Sequence, residues 1–342
     1  MSATPALIPD LLSDYGAKTR TVLNDYLPKT EPREHLYDLV ADYPGRGGKM
    51  MRPSICIATT KALGGSEEDA LLSAASIELF HNAMLIHDDI EDESEERRGR
   101  PTLHKQWGVP IAINVGDTLS LLSFRPLLDN HHRLGLSVTH RMVSEAERVA
   151  RESAEGQALE LGWRETNNLD ITEADYLNMV LKKTCWLSTI YPLRLGALIA
   201  GRGRIDLDRF IRYGFFLGSA FQIQDDLLNL NADPSYGKER VGDLWEGKRT
   251  IPLIHLLENV GSKEQKRIER CLSLPREKKK AEDIEWIRNQ MDAHDSIRYA
   301  SEVAQGLAGA AMTEFEQAFT GVPESHDLEF LRGMATWVFE RN

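Results

Sequence analysis

Seven carboxylates fill the nine positions from Asp88 to Glu96 in "HDDIEDESEERRGRPTLH" (residues 87–104), and two arginines, Arg97 and Arg98, follow at once. Asp88 and Asp92 are four apart, so on a helix they share one face, one turn along. The residues before them, Ala70 to Ile86, are largely apolar, which puts the acids at the C-terminal end of a buried helix. The macrodipole disfavours negative charge at that end, so the carboxylates call for a cation. Oxygen-only ligands with a part-aqueous shell suit Mg²⁺, above all Mg²⁺ shared with a phosphate. An acid run is more often only a solvated helix end, but a second cluster weighs against that account. "FFLGSAFQIQDDLLNL" (215–230) has the same layout: an apolar, small-residue stretch leading to Asp225 and Asp226, with Asn229 one turn on from Asp225. Two such helices can face each other across a pocket with a metal-binding mouth and an apolar floor. That design fits a diphosphate head on a long hydrocarbon tail.

Basic residues stand close by in the sequence. Arg97 and Arg98 suit bidentate contact with diphosphate oxygens. In "GRGGKMMRP" (45–53) the glycines let backbone approach an anion, and Lys49 and Arg52 are three apart. Lys238 and Lys248 follow the second acidic cluster in "YGKERVGDLWEGKRTIPLIH" (236–255). The run Lys278-Lys279-Lys280 reads as a solvated loop.

The elements that must position these groups read as helices. Ser66 to Asp69 has the form of an N-cap with an acid three residues on, and Thr172 to Asp175 repeats it. Breaks fall at 43–49, 62–66, 97–101, 164–170, 200–208, 231–242, 272–280 and 320–327, and no long alternating run appears. The chain therefore reads as one all-α domain over residues 1–342. Hydrophobic residues make up 42 % and charged residues 27 % of the 342, the balance of a globular protein. The net charge of −12 argues against general nucleic-acid binding. Three widely spaced cysteines, Cys56, Cys185 and Cys271, give no disulfide framework and fit a reducing cytoplasm. No signal peptide is expected at the N-terminus. The longest apolar stretch is broken by Pro192 and Arg194, so no membrane span is expected.

Taken in order, these motifs resemble those of the all-trans polyprenyl diphosphate synthases. The similarity runs from about Gly47 to His255. "GGKMMRP" is similar to the family's GGK-x-x-RP, "HDDIED" to its first aspartate-rich motif and "RRGRPT" to the adjoining arginine pair. "GQALEL", "KKT", "FQIQDDLLN" and "GDLWEGKRTIPLIH" resemble its later elements in the family's order. "HNAMLIHDDIED" and Asn229 resemble geranylgeranyl diphosphate synthases in particular. Asn229 and Glu160 both stand where the family usually has aspartate.

The resemblance implies an isoprenoid synthase-type bundle of antiparallel helices around a deep central cavity, working as a homodimer. It implies Mg²⁺ held by Asp88, Asp92 and Asp225, with Asp89, Asp226 and Lys183 also in the catalytic set. Arg97, Lys183, Thr184, Gln222, Asn229, Lys238 and Lys248 would bind an allylic diphosphate (dimethylallyl, geranyl or farnesyl). Lys49, Arg52, His81 and Arg98 would bind isopentenyl diphosphate. A terpene cyclase of the same fold needs no isopentenyl site, so those four residues favour chain elongation. A non-catalytic partner subunit is expected to lose acidic-motif residues, and this chain keeps both pairs. The growing tail should run back along the first acidic helix, meeting Met84 and Ala83, then Phe80 on the order of 12 Å below Asp88. The neighbouring helix offers Ser120 and Leu121. The expected product is the twenty-carbon geranylgeranyl diphosphate, with geranylfarnesyl or farnesyl diphosphate as alternatives.

Overall fold

A computed structural model describes residues 7–231 and 241–340. Ser66 caps the Glu67–Glu91 helix by accepting from the Asp69 N–H, and Thr172 and Asp175 exchange the two hydrogen bonds of a capping box at the Glu173–Val180 helix. Both N-caps therefore form where their short polar side chains satisfy otherwise orphaned N–H groups. Most expected breaks within the described residues fall between helices; that at 43–49 overlaps the short Asp42–Gly45 helix, and that at 272–280 holds one turn of helix, Arg276–Lys278. Several breaks had no counterpart in the reading; at two of them single glycines, Gly108 (φ +83°) and Gly135 (φ +81°), turn the chain immediately before the Val109–Asp129 and Leu136–Glu165 helices.

The Glu67–Glu91 helix packs lengthwise on the Val109–Asp129 helix, and the Ile211–Asn231 helix on the Ser296–Ala318 helix. Between these pairs runs a rod from Glu173 to Ala200 whose middle, Leu181–Ile190, is wound as a wide π-helix. Glycines let its neighbours close on it. A Cβ at Gly156 would stand 2.2 Å from the Lys183 backbone nitrogen, and one at Gly218 would stand 2.8 Å from Cys185 Sγ. Wide turns of this kind are uncommon and recur at functional sites. This one carries Lys183, Thr184 and Ser188.

Three apolar cores hold the helices. The largest joins the Met51–Ala62, Leu136–Glu165, Tyr191–Ala200 and Ser296–Ala318 helices. A second packs Leu79, Ala83 and Ile86 against Val115 and Leu119, and a third joins Leu230 to residues between Val241 and Met291. Each buried aliphatic side chain contributes roughly 1.5–3 kcal/mol of transfer free energy, so the helices that carry the acids are anchored by their apolar faces. All three cysteines are buried and unpaired. Among the described residues no helix is long and apolar enough to cross a membrane. Within that stretch Pro192 stands at the start of the 191–200 helix, and buried Arg194 holds Glu145 at 2.6 and 2.8 Å.

The only strands among the described residues are Glu96–Arg97 and Arg100–Pro101, a short hairpin with Arg97 opposite Arg100. Arg98 (φ +55°) and Gly99 (φ +69°) make its turn, the two positive-φ positions of a type I′ hairpin. Arg46 clamps it, donating to the carbonyls of Arg97 at 3.1 Å and Pro101 at 3.0 Å.

Candidate active site

A cavity of about 550 Å³ opens between the two acidic helices. Phe80, His81, Met84, Asp88 and Glu91 line it from the 67–91 helix, and Phe221, Gln222, Asp225, Asp226 and Asn229 from the 211–231 helix. The polar end holds the acids with Lys183, Lys248 and Arg97. Phe80, Met84, Phe124, Ala150, Met179 and Leu187 supply apolar wall.

At the first acidic cluster, Lys183 Nζ lies 3.2 Å and Arg97 Nη2 lies 3.8 Å from Asp88. Burial alone would raise the Asp88 carboxyl, but Lys183, Lys248 and Arg97 more than offset it and hold the group well below the usual carboxylate range. Asp92 is 2 % exposed. Lys248 reaches its Oδ2 at 2.7 Å and Arg164 its Oδ1 at 2.5 Å. Burial opposes ionisation here as well, yet Lys248, Lys183 and Arg164 prevail and lower it. Both groups are anionic hard-oxygen donors at neutral pH. Among the described residues no three acid, histidine or cysteine side chains converge as a ready-made cation cage.

Asp89 departs from the expectation. Adjacent helical residues point about 100° apart, and Asp89, fully buried, does not line the cavity. It takes Arg97 on both oxygens and accepts from the Tyr43 hydroxyl at 2.5 Å. Its place is a buried ion pair that holds Arg97 in position.

On the second wall, Thr184 donates to Gln222 Oε1 at 2.9 Å, and Gln222 donates to Asp226 Oδ1 at 2.8 Å. The Tyr176 hydroxyl meets the other Asp226 oxygen at 2.6 Å. Burial, with Asp243 adding to it, pushes Asp226 up to about 8, so it carries a proton at neutral pH. Asn229 accepts from the Asp243 N–H at 3.1 Å, tying the helix to the segment that bears Lys248. Glu160 joins the first wall through Lys183, so the longer arm reaches the network. Lys238 lies outside the described residues.

Of the four expected anion-binding residues, Arg52 and His81 line the cavity and Lys49 and Arg98 do not. Arg52 Nη1 lies 3.3 Å from His81 Nε2 and Arg52 Nη2 2.7 Å from Ser188 Oγ. Burial, together with Arg52, Arg98 and Arg97, lowers His81 well below the usual histidine value, so it stays neutral. Arg98 donates to the Tyr43 carbonyl at 3.2 Å, and a Cβ on Gly48 (φ +150°) would stand 2.9 Å from its Nη2. Glycine there lets the "GGK" loop close on the guanidinium. Lys49 is exposed, its ammonium 5.6 Å from the centre of the Trp337 ring.

Three further expectations need correction. Ala83 is fully buried in the second core, against the 109–129 helix, and does not line the cavity. Leu121 is 74 % exposed and does not line the cavity, whereas Phe124, about a turn on, does. Phe80, Met84 and Ser120 line it as expected. Lys279, read as part of a solvated loop, is buried between the exposed Lys278 and Lys280. Sequence reasoning missed Arg164, Tyr43, Tyr176 and Phe124. Arg164 had a faint signal, one turn on from Glu160; Tyr43 and Tyr176 had none, since their partners are remote in sequence.

The chain is similar to known proteins. The chain is 35 % identical over 343 residues to a short chain isoprenyl diphosphate synthase of Methanothermobacter thermautotrophicus, covering 98 % of each. It is 33 % identical to a geranylgeranyl diphosphate synthase of Saccharolobus solfataricus over 79 % of this chain and 80 % of the relative. A geranylfarnesyl diphosphate synthase of Natronomonas pharaonis is 31 % identical over 95 % and 96 %. Among solved structures, a geranylgeranyl pyrophosphate synthetase from Pyrococcus horikoshii superposes with a TM-score of 0.83 at 30 % identity, covering 97 % and 99 %. A geranylgeranyl pyrophosphate synthase from Corynebacterium glutamicum, complexed with isoprenyl diphosphate and magnesium, gives 0.82 at 25 % identity over 98 % and 99 %. The family model described as polyprenyl synthetase matches residues 33–291, and the chain belongs to that family.

Proposed function

We propose that this enzyme condenses isopentenyl diphosphate with an allylic diphosphate to make geranylgeranyl diphosphate. The observation that carries the reading is the cavity itself, with aspartates of two helices at one end and an aromatic, apolar wall at the other. Asp88, Asp92 and Asp225 are the residues that would hold Mg²⁺; their oxygen-only donor set and the low carboxyl values at Asp88 and Asp92 fit that ion. When bound, the metal supplies positive charge that stabilises a departing diphosphate.

The chain's own residues do the rest. Lys183, Lys248 and Arg97 are ammonium and guanidinium groups already directed at Asp88 and Asp92. They are placed to share an allylic diphosphate and to stabilise it as the allylic C–O bond breaks. Thr184, Gln222 and Asn229 border the same volume. Arg52, His81, Arg98 and Lys49 receive the second diphosphate, with neutral His81 free to exchange a hydrogen bond with Arg52. The basic groups between the two anions keep them from repelling each other. Phe221, Met179 and Leu187 exclude water from the carbocation while the isopentenyl double bond attacks it. The proton then lost passes to the released diphosphate.

Phe80, Met84 and Ser120 are the residues we assign to product length, joined by Phe124. A terpene cyclase has no use for the Arg52–His81 pair, which favours elongation. We also read the protein as a cytoplasmic homodimer. The support is the exposed apolar stripe of Val109, Ile113, Leu121 and Leu128 on one helix, together with the three unpaired cysteines. Incubating purified protein with radiolabelled isopentenyl diphosphate and each allylic primer tests the assignment. A labelled C20 alcohol after dephosphorylation is expected; a cyclised hydrocarbon, or no incorporation with any primer, overturns it.

A further inference from the structure

The loop after the Ser262–Leu272 helix carries three consecutive lysines, yet only the middle one turns inward. Lys279 is 9 % exposed. Its ammonium donates to the Trp245 carbonyl at 2.6 Å and to the Leu244 carbonyl at 3.4 Å. Both belong to the short Gly242–Glu246 helix; the Leu244 carbonyl also accepts from the Gly247 N–H at 3.2 Å, and the Trp245 carbonyl, in the last turn where no further helical N–H follows, is the one Lys279 meets most closely. Burying an ammonium is costly unless its donors are met. These donors are met by the segment that carries Lys248.

That segment is gripped from the other side as well. Arg249 donates to the Gly247 carbonyl, to the Asn168 carbonyl at 3.0 Å and to Asn167 Oδ1 at 2.8 Å. A Cβ on Gly247 (φ +78°) would stand 3.4 Å from both Lys279 Nζ and Arg249 Nη1, so the two cations flank the turn. The next residue is Lys248, whose ammonium lies 2.7 Å from Asp92 and 2.6 Å from Glu246. A cation packed among others is disfavoured: burial first, then Arg164, Arg249 and Arg276, lowers Lys279 to about 8. The contacts of Lys279 thus link the third apolar core to the polar end of the cavity.

We propose that Lys279 is a positioning residue: by holding the Leu244 and Trp245 carbonyls it fixes the turn at Gly247 and aims Lys248 at the allylic diphosphate. This rests on reading Lys248 as a ligand of that substrate. Steady-state kinetics of full-length Lys279→Met, Lys248→Ala and the double variant, each with farnesyl diphosphate and with isopentenyl diphosphate varied, test it. Lys279→Met should raise the KM for farnesyl diphosphate about tenfold and leave that for isopentenyl diphosphate unchanged. The double variant should be no worse than Lys248→Ala, because the two act through one contact. If Lys248→Ala raises the farnesyl KM and Lys279→Met does not, the positioning role is overturned. It is equally overturned if Lys279→Met raises both KM values alike, or if the two effects add. A Lys248→Ala enzyme with an unchanged farnesyl KM instead refutes the reading of Lys248. Should the methionine variant not fold, Lys279→Gln keeps one N–H donor and is expected to give a smaller, still selective rise; no rise overturns the proposal.

Discussion

Lys248 and Arg164 hold opposite oxygens of Asp92, Lys248 Nζ 2.7 Å from Oδ2 and Arg164 Nη1 2.5 Å from Oδ1. These three groups come from the segment after the second acidic helix, from the 136–165 helix and from the end of the first acidic helix. Opposite charges from three distant parts of the chain thus neutralise one another beside the cavity, which Lys248 lines and Asp92 and Arg164 do not.

Asp88 and Asp92 should therefore respond differently to removal. Asp88→Ala and Asp225→Ala should lower turnover by at least two to three orders of magnitude and leave the melting temperature nearly unchanged. Asp92→Ala should be as inactive and should also melt several degrees lower, because Arg164 loses its carboxylate partner and Lys248 loses one of its own. Circular dichroism melts beside the turnover assay separate the two effects. Activity should vanish in EDTA and return with Mg²⁺; turnover that persists in EDTA would refute the metal assignment.

The neighbouring arginines should separate in the same way. Arg97→Ala leaves the Asp89 carboxylate buried and short of its partner, at a cost of about 3–5 kcal/mol. Adding Asp89→Asn should restore much of that stability without restoring activity. Arg98→Ala should melt like the parent and mainly raise the KM for isopentenyl diphosphate. Equal destabilisation by the two alanines would contradict this geometry.

Asp226 supplies a pH test. Its folded value, about 8, is raised above the ordinary carboxyl value by burial and by Asp243, so the folded state holds a proton that the unfolded state releases. That contribution to stability is complete below the ordinary carboxyl value and is lost as pH rises toward 8. Metal-free Asp226→Asn should melt higher than the parent at pH 9 and by a smaller margin at pH 5. A pH-independent difference would show that Asp226 is ionised throughout.

Product length should follow the cavity wall. Phe80→Ala should shift the product toward C25 and beyond, and Ser120→Phe should shorten it, read by chromatography of the dephosphorylated alcohols. Ala83→Phe should instead destabilise, since overpacking a filled core costs about 1–3 kcal/mol. An Ala83→Phe enzyme of parental stability with a shortened product would return that residue to the cavity.

The exposed stripe on the 109–129 helix predicts association. Ile113→Lys with Leu121→Lys should halve the mass seen by light scattering if the stripe is the dimer seam. An unchanged mass would exclude it.

The sequence by itself determined what periodicity and local chemistry can carry. Ser66 and Thr172 cap helices because a short polar side chain meets its own next turn. Asp88 pairs with Asp92 across one turn, and the glycine-rich loop before Arg52 announces close approach. These are interactions within a few residues, and they fix the helices. Tertiary structure alone decided which way each side chain faces. Asp89 and Ala83 turn from the cavity because they lie on helix faces taken by Arg97 and by the second core. Leu121 faces outward while Phe124, three residues on, faces the cavity. Lys279 is buried while its neighbours are solvated, because the carbonyls it meets lie 34 and 35 residues away along the chain. Contacts between remote segments leave no periodic trace, so their geometry appears only once the helices have packed.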